Sequence, residues 1–312
     1  MSRHVRVASF DIGSNTVLML IADLVDDQWV RVEDHMAITR IAEGLDQSGL
    51  LRDDAIERTE AALRPMVERL QVCDVTHVLV TGTAPFRRAR NGAMAAARLS
   101  DLIGHRMWVV TGEQEADLVL AATVAAFPEF SEFVVIDIGG ASTEIVSVRG
   151  QVRRVSLDIG TVRLTERHSR NGEYGAASIA ALREDIGRAL AAPEVAELLA
   201  DAAGLPLVGV AGTVTTLACV HLQLLEWDDN VVHGSLLPAV ALRRLADELP
   251  AMTVSQRVAL PGMPPKRADV IAAGACLLSE LANALHAEGV VVSDRGIRWG
   301  RLAWEWQRAA LA

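Results

Sequence analysis

Two stretches of the 312-residue chain combine residue types that could handle phosphate. In Phe133-Val-Val-Ile-Asp-Ile-Gly-Gly-Ala-Ser-Thr-Glu-Ile-Val146 an apolar run ends at Asp137, the chain turns on Gly139 and Gly140, and a second apolar run begins. Glycines let a backbone approach a ligand closely, and their N–H groups, with Ser142 and Thr143, can meet anionic oxygens. Asp137 would repel a bare phosphate, so its presence calls for a cation between the two. The alternative is an ordinary hairpin whose Asp caps the turn. Val5-Arg-Val-Ala-Ser-Phe-Asp-Ile-Gly-Ser-Asn-Thr-Val-Leu-Met-Leu-Ile-Ala22 repeats the pattern, with Asp11 and Gly13 followed by Ser14 and Asn15.

Further polar clusters follow. Thr83-Ala-Pro-Phe-Arg-Arg-Ala-Arg-Asn91 holds Arg87, Arg88 and Arg90, the densest positive charge in an acidic chain. Guanidinium forks match phosphate oxygens, although a solvated helix start is the plainer reading for at least one of them. Glu113 and Glu115 stand in the first turn of a helix that opens on a Thr111–Gln114 capping box. Acidic residues there are ordinary partners of the helix dipole; alternatively, one of them takes a proton from water attacking phosphorus. Two positions apart they face different ways, and the spacing does not choose between them.

The elements that position these groups read as a duplication. Asp137 lies 137 − 11 = 126 residues after Asp11. A second pair of strand-end Gly-Thr turns, Gly82-Thr83 and Gly212-Thr213, is offset by 212 − 82 = 130. Two matched pairs at nearly equal offset predict two similar halves whose glycine turns face one cleft. Strands alternate with helices, which favours α/β with mixed sheets. Helices are predicted over 53–70 (with a kink at Pro65), 93–103, 111–126, 161–168, 178–191, 193–199, 213–225, 270–285 and 297–310. The tryptophans of the last helix read as packing residues.

Composition narrows the classes. Net charge is −10, with no basic tail and one lysine, Lys266, so nucleic-acid binding is disfavoured. Cys73, Cys219 and Cys276 are an odd number without a C-x-x-C pair, expected as buried free thiols. Scattered histidines disfavour zinc, and no Walker A, G-x-S-x-G or Rossmann fingerprint occurs. Neither a signal peptide nor a membrane span is expected, which places the protein in the cytoplasm.

Together these motifs resemble the exopolyphosphatase/guanosine pentaphosphate phosphatase family of the actin, sugar-kinase and heat-shock-chaperone superfamily. The resemblance rests on Asp11-Ile-Gly-Ser-Asn-Thr, Thr83-Ala-Pro-Phe-Arg87, Thr111-Gly-Glu-Gln-Glu-Ala116 and Asp137-Ile-Gly-Gly-Ala-Ser-Thr-Glu144. It is extended by Ser156 to Glu166, Gly209 to Ala218, Arg267-Ala-Asp-Val-Ile-Ala-Ala-Gly-Ala and Ser293-Asp-Arg-Gly-Ile-Arg. It implies α/β architecture with two duplicated actin-like (ribonuclease H-like) domains, over about 1–122 and 123–312, with the final helix able to pack back on the first. It further implies hydrolysis of terminal phosphoanhydrides with Mg²⁺ or another divalent cation. The family's catalytic glutamate falls on Glu115 and its essential arginine on Arg87. Asp137 takes the metal-associated position, and Glu144 closes the second phosphate loop.

Phosphate oxygens would be held by Asp11, Gly13, Ser14, Asn15, Thr83, Gly139, Gly140, Ser142, Thr143, Gly212 and Thr213, with metal at Asp137 and Glu144. The chain departs from the family at Gln114, at Ala141 (which replaces a third glycine and should leave the loop slightly less free) and at Arg88. It also lacks the C-terminal domains of the long forms. The expected substrate is inorganic polyphosphate, with guanosine pentaphosphate as the alternative. An actin-like ATPase and a non-catalytic polyphosphate or alarmone sensor are further rivals, and a homodimer is plausible from the resemblance.

Overall fold

The computed structural model describes residues 5–310. Met1–His4 and the last two residues lie outside them. The chain divides into two compact units, Met1–Ala125 with Ile297–Ala312, and Ala126–Gly296. No helix among the described residues is long and apolar enough to cross a membrane.

The first unit carries β1 (Arg6–Ile12), β2 (Thr16–Val25), β3 (Gln28–Ile38), β4 (His77–Gly82) and β5 (Met107–Val109), in sheet order β3-β2-β1-β4-β5. β1, β2 and β3 are antiparallel neighbours; β4 and β5 are parallel to β1. Central β1 is buried along most of its length because helices cover both faces. Edge strand β3 alternates exposed and half-buried side chains, as a strand with one solvated face must. The Asp53–Val72 helix runs unbroken through Pro65, where a kink was expected. An interior proline costs about 3 kcal/mol; burial of Ile56, Leu63 and Met66 against the sheet opposes that loss. On the other face, Val7, Leu20, Ala122, Trp299 and Leu302 form a separate cluster, which seats the final helix, Ile297–Ala310, on this unit. Trp304 meets Trp108 edge-on at 5.0 Å and Arg301 lies 4.5 Å over the Trp108 ring, so these aromatics serve helix packing.

The second unit carries β6 (Phe133–Ile138), β7 (Thr143–Arg149), β8 (Gln151–Leu157), β9 (Leu207–Val210), β10 (Leu236–Pro238) and β11 (Gly289–Val292), in order β10-β11-β9-β6-β7-β8. Strands β8-β7-β6-β9-β11 repeat β3-β2-β1-β4-β5 in order and direction. The duplicated actin-like α/β architecture with mixed sheets is therefore present, with β10 as an extra edge strand.

Register corrects one detail of the duplication. Thr81 stands beside Asp11, whereas Val210 stands beside Asp137. The second offset is therefore 210 − 81 = 129, and Gly82 corresponds to Ala211 rather than Gly212. One prominent helix, Ala239–Ala251, is not among the predicted elements, although Leu242, Leu245 and Leu249 carry its buried face. All three cysteines are buried free thiols.

Candidate active site

In the first unit Asp11 is the penultimate residue of β1, and the hairpin closes with Gly13 N–H donating to the Thr16 carbonyl at 3.0 Å. The Ser14 carbonyl accepts from Ala42 N–H, and the Asn15 carbonyl from Thr39 and Arg40 N–H. A trans peptide sets N–H opposite C=O, so the N–H groups of Asn15 and Thr16 face away from that segment. Thr83 N–H donates to the Ile12 carbonyl at 3.3 Å, which ties the start of the Ala84–Arg88 helix to the same hairpin. At Gly82 a Cβ would lie 2.4 Å from Met107 Sδ, so a larger residue would have to displace the Met107 and Phe86 side chains.

Arg87 projects from that short helix. Its Nη1 donates to the Val110 carbonyl and to Glu115 Oε2, each at 2.7 Å. The capping box forms as predicted: Thr111 N–H bonds Gln114 Oε1 and Gln114 N–H bonds Thr111 Oγ1. This cap orients the first turn so that Glu115 is 6% exposed while Glu113 lies at the surface. Burial raises the Glu115 carboxyl above its ordinary range; the Arg87 charge and hydrogen bond oppose that rise. Asp11 is half-buried with Oδ1 shielded from solvent. Its carboxyl is pushed up to about 7 by burial, and further by the Glu115 charge, against Arg298.

Arg88 and Arg90 do not join this group. Arg88 pairs with Asp46, and Arg90 donates to the Ser48 carbonyl at 3.0 Å, so both strap the 45–49 segment.

In the second unit Gly139 N–H donates to the Ser142 carbonyl at 3.0 Å, the same turn as at Gly13. The carbonyls of Gly139 and Gly140 accept from Thr161, Val162 and Arg163, the first N–H groups of the Thr161–His168 helix. Planarity then points the N–H groups of Gly140 and Ala141 the other way. Gly160 lets that helix approach: a Cβ would lie 2.6 Å from the Gly140 carbonyl. No positive φ occurs at 139–141, so Ala141 replaces glycine without strain. The hydroxyls of Thr143 and Thr213 donate to the Ile159 and Ile138 carbonyls, at 2.7 and 3.0 Å. Both are therefore tied into the frame of the turn.

Asp137 and Glu144 are direct cross-strand partners, 5% and 1% exposed. Ser156 Oγ donates to Glu144 Oε1 at 2.7 Å. No group of three or more His, Cys, Asp or Glu side chains able to hold a metal occurs among the described residues. A hard cation such as Mg²⁺ is ordinarily held by one or two carboxylates, with water and substrate phosphate completing its shell. Two buried carboxylates on one face of a hairpin, one oriented by a serine, fit that donor set. After β9 the chain turns through Ala211, a non-glycine at φ 68, into the Ala211–Leu222 helix. At Gly212 a Cβ would lie 2.0 Å from Arg267 Nη1, so only glycine lets this guanidinium lie on the turn. Burial lowers Arg267 to about 10, which leaves it charged at neutral pH.

Three residues without a role in the sequence reading thus enter: Ser156, Arg267 and Arg298. Each lies in a stretch that carries the family resemblance, and that was the available signal. Arg298, on the final helix, also pairs with Asp34.

Residues 20–308 match the model of the Ppx/GppA phosphatase family. Exopolyphosphatase 2 of Mycobacterium tuberculosis is 34% identical over 292 residues, covering 90% of this chain and 91% of the relative. The guanosine-5'-triphosphate,3'-diphosphate pyrophosphatase of Vibrio vulnificus is 27% identical over 300 residues; the match covers 96% of this chain and 58% of that protein. Among solved structures, the Aquifex aeolicus Ppx/GppA family member has a TM-score of 0.79 and 28% identity, covering 98% of this chain and 99% of that one. The chain belongs to the Ppx/GppA phosphatase family.

Proposed function

We propose that the protein is an exopolyphosphatase that removes the terminal residue of inorganic polyphosphate as orthophosphate. The observation that carries this reading is the buried Glu115–Arg87 pair, a carboxylate of raised proton affinity held by a guanidinium. The 34% identity to exopolyphosphatase 2 over nine-tenths of both chains supports polyphosphate as the substrate.

Water adds to the terminal phosphorus while the bridging P–O bond breaks and its electron pair leaves on the shortened chain. Glu115 takes the proton of that water. Arg87 keeps Glu115 anionic until then and, beside the Val110 carbonyl, in one orientation. Each turn offers donors to phosphate oxygens: the backbone N–H groups of Asn15 and Thr16 with the Ser14 hydroxyl in the first unit, and those of Gly140 and Ala141 with the Ser142 hydroxyl in the second. Arg267, lying on the Gly212 turn, adds positive charge for the oxygens held there. Asp137 and Glu144 would hold Mg²⁺, which when bound neutralises phosphate charge. Phosphoryl transition states are loose, so stabilising the spread negative charge contributes more than the base, which typically supplies about 10²- to 10⁴-fold.

Release of phosphate from polyphosphates of graded length, compared with guanosine pentaphosphate, tests the reading. Preference for polyphosphate is expected; preference for the nucleotide assigns the protein to the family's other activity. Phosphate transfer from ATP to an acceptor, or binding without release, contradicts both.

A further inference from the structure

Behind Asp11 lies a buried polar row that the second unit lacks. Ser9 precedes Asp11 by two positions on β1, and Thr81 of β4 is its register neighbour. Residues so related share one face of a sheet. Ser9 and Thr81 are fully buried, and Ser9 Oγ, Thr81 Oγ1 and Asp11 Oδ1 make no hydrogen bond among the described residues. Buried polar groups left unbonded are destabilising, so their retention calls for a reason. The fold does not require them. At the equivalent places around Asp137 stand Val135, offset by the same 126 residues, and Val210, both fully buried.

The charged groups around Asp11 are Glu115 on the Gly112–Ala126 helix and Arg298 on the final helix. Arg87 and Asp34 act at one remove, through Glu115 and Arg298. Its neighbours on β2 and β4 are uncharged, Leu18 and Thr81. Two carboxyls sharing a poorly solvated site cannot both ionise readily, and they titrate as a pair. Arg87 favours the charge on Glu115, which leaves the shared proton to Asp11.

We propose that Asp11 is a positioning acid for Glu115: it carries the single proton of the pair and leaves Glu115 anionic, with Thr81 and Ser9, through internal water, solvating the neutral carboxyl. Both hydroxyls donate and accept, which is what a bridging water between them and a carboxyl needs. The inference rests on the reading of Glu115 as the base. When Asp11 ionises, a second negative charge faces a polyanionic substrate, so kcat/KM falls above neutral pH.

The test is Asp11→Asn, an uncharged near-isostere of the protonated acid. The wild-type alkaline limb near neutral pH is expected to disappear in the variant. Thr81→Val with Ser9→Val, which copies the apolar row of the second unit and takes away the groups that solvate the neutral carboxyl, is expected to move the limb to lower pH. Thr81→Ser should leave the limb in place.

A readout without substrate separates this proposal from the hydrolase reading. A carboxyl whose folded pKa is raised makes the folded state bind the extra proton, so stability falls as pH rises from the ordinary carboxylate range to about 7. The melting temperature of Asp11→Asn should therefore gain on wild type between about pH 4 and 8. An unchanged alkaline limb with a pH-independent melting difference overturns the proposal. If wild type hydrolyses nothing yet the melting difference follows pH, the acid pair stands and the hydrolase reading fails. Should Asp11→Asn not fold, carboxyl ¹³C titration of wild type reads the same proton: a midpoint near neutral is expected, and one in the ordinary carboxylate range overturns the proposal.

Discussion

Seven positions beyond the strand-end aspartate, opposite it on the neighbouring strand, the first hairpin has Leu18 and the second has Glu144. The surroundings differ in the reverse sense. Asp11 has Ser9 and Thr81 beside it and a glutamate within electrostatic reach, whereas the equivalents around Asp137 are Val135 and Val210. One duplicated turn thus has two chemical settings. The second presents two carboxylates on one face, the setting for a cation. The first surrounds one carboxylate with groups that can hold a proton. A duplicated backbone places glycine turns twice, and a few side chains per copy decide what each does.

The largest expected effect of breaking this division is at Glu115. Glu115→Gln should slow phosphate release by about 10²- to 10⁴-fold while equilibrium binding of polyphosphate persists. Glu144→Leu gives the second hairpin the residue of the first. Outer-shell changes at metal sites cost roughly 10- to 100-fold in affinity, and the Mg²⁺ concentration for half-maximal activity should rise at least that much. Arg87→Lys keeps the charge but not the geometry that reaches both Glu115 and Val110. A hydrogen bond to a charged group contributes roughly 1.5–3 kcal/mol, so the turnover rate should fall about tenfold or more. Ala141→Gly should change activity least. Because φ there is not positive, glycine relieves no strain and only loosens the unfolded chain, lowering stability by about 0.4–1 kcal/mol in a denaturant titration. A marked gain in activity from Ala141→Gly would show that the second turn is strained after all.

Much of the framework was legible because it is written locally. The repeated Asp-Ile-Gly hairpins, the Thr111–Gln114 box and the apolar spacing of most helices need no distant contact to be recognised. What was not legible depends on register or return. The one-residue slip between Gly82 and Gly212 arose because a Gly-Thr dipeptide matched by type, whereas hydrogen bonding aligns Gly82 with Ala211. The positive φ at Ala211 is invisible because alanine rarely adopts it. Arg298 reaches the surroundings of Asp11 from 287 residues away (298 − 11), carried by a helix that rejoins the first unit. Arg88 and Arg90 resemble Arg87 in sequence, and only their packing on the 45–49 segment separates the three. Glu113 and Glu115 were likewise equivalent by type until the turn of the helix buried one of them.

The division of labour between the hairpins is tested most directly by measuring phosphate release against Mg²⁺ concentration and pH for Glu115→Gln and Glu144→Gln in one assay. The expected result is a lower plateau with an unchanged Mg²⁺ midpoint for Glu115→Gln, and for Glu144→Gln a raised Mg²⁺ midpoint with the wild-type alkaline limb intact. Equal displacement of both curves by both variants, or a Mg²⁺ midpoint that follows Glu115 instead of Glu144, would contradict it.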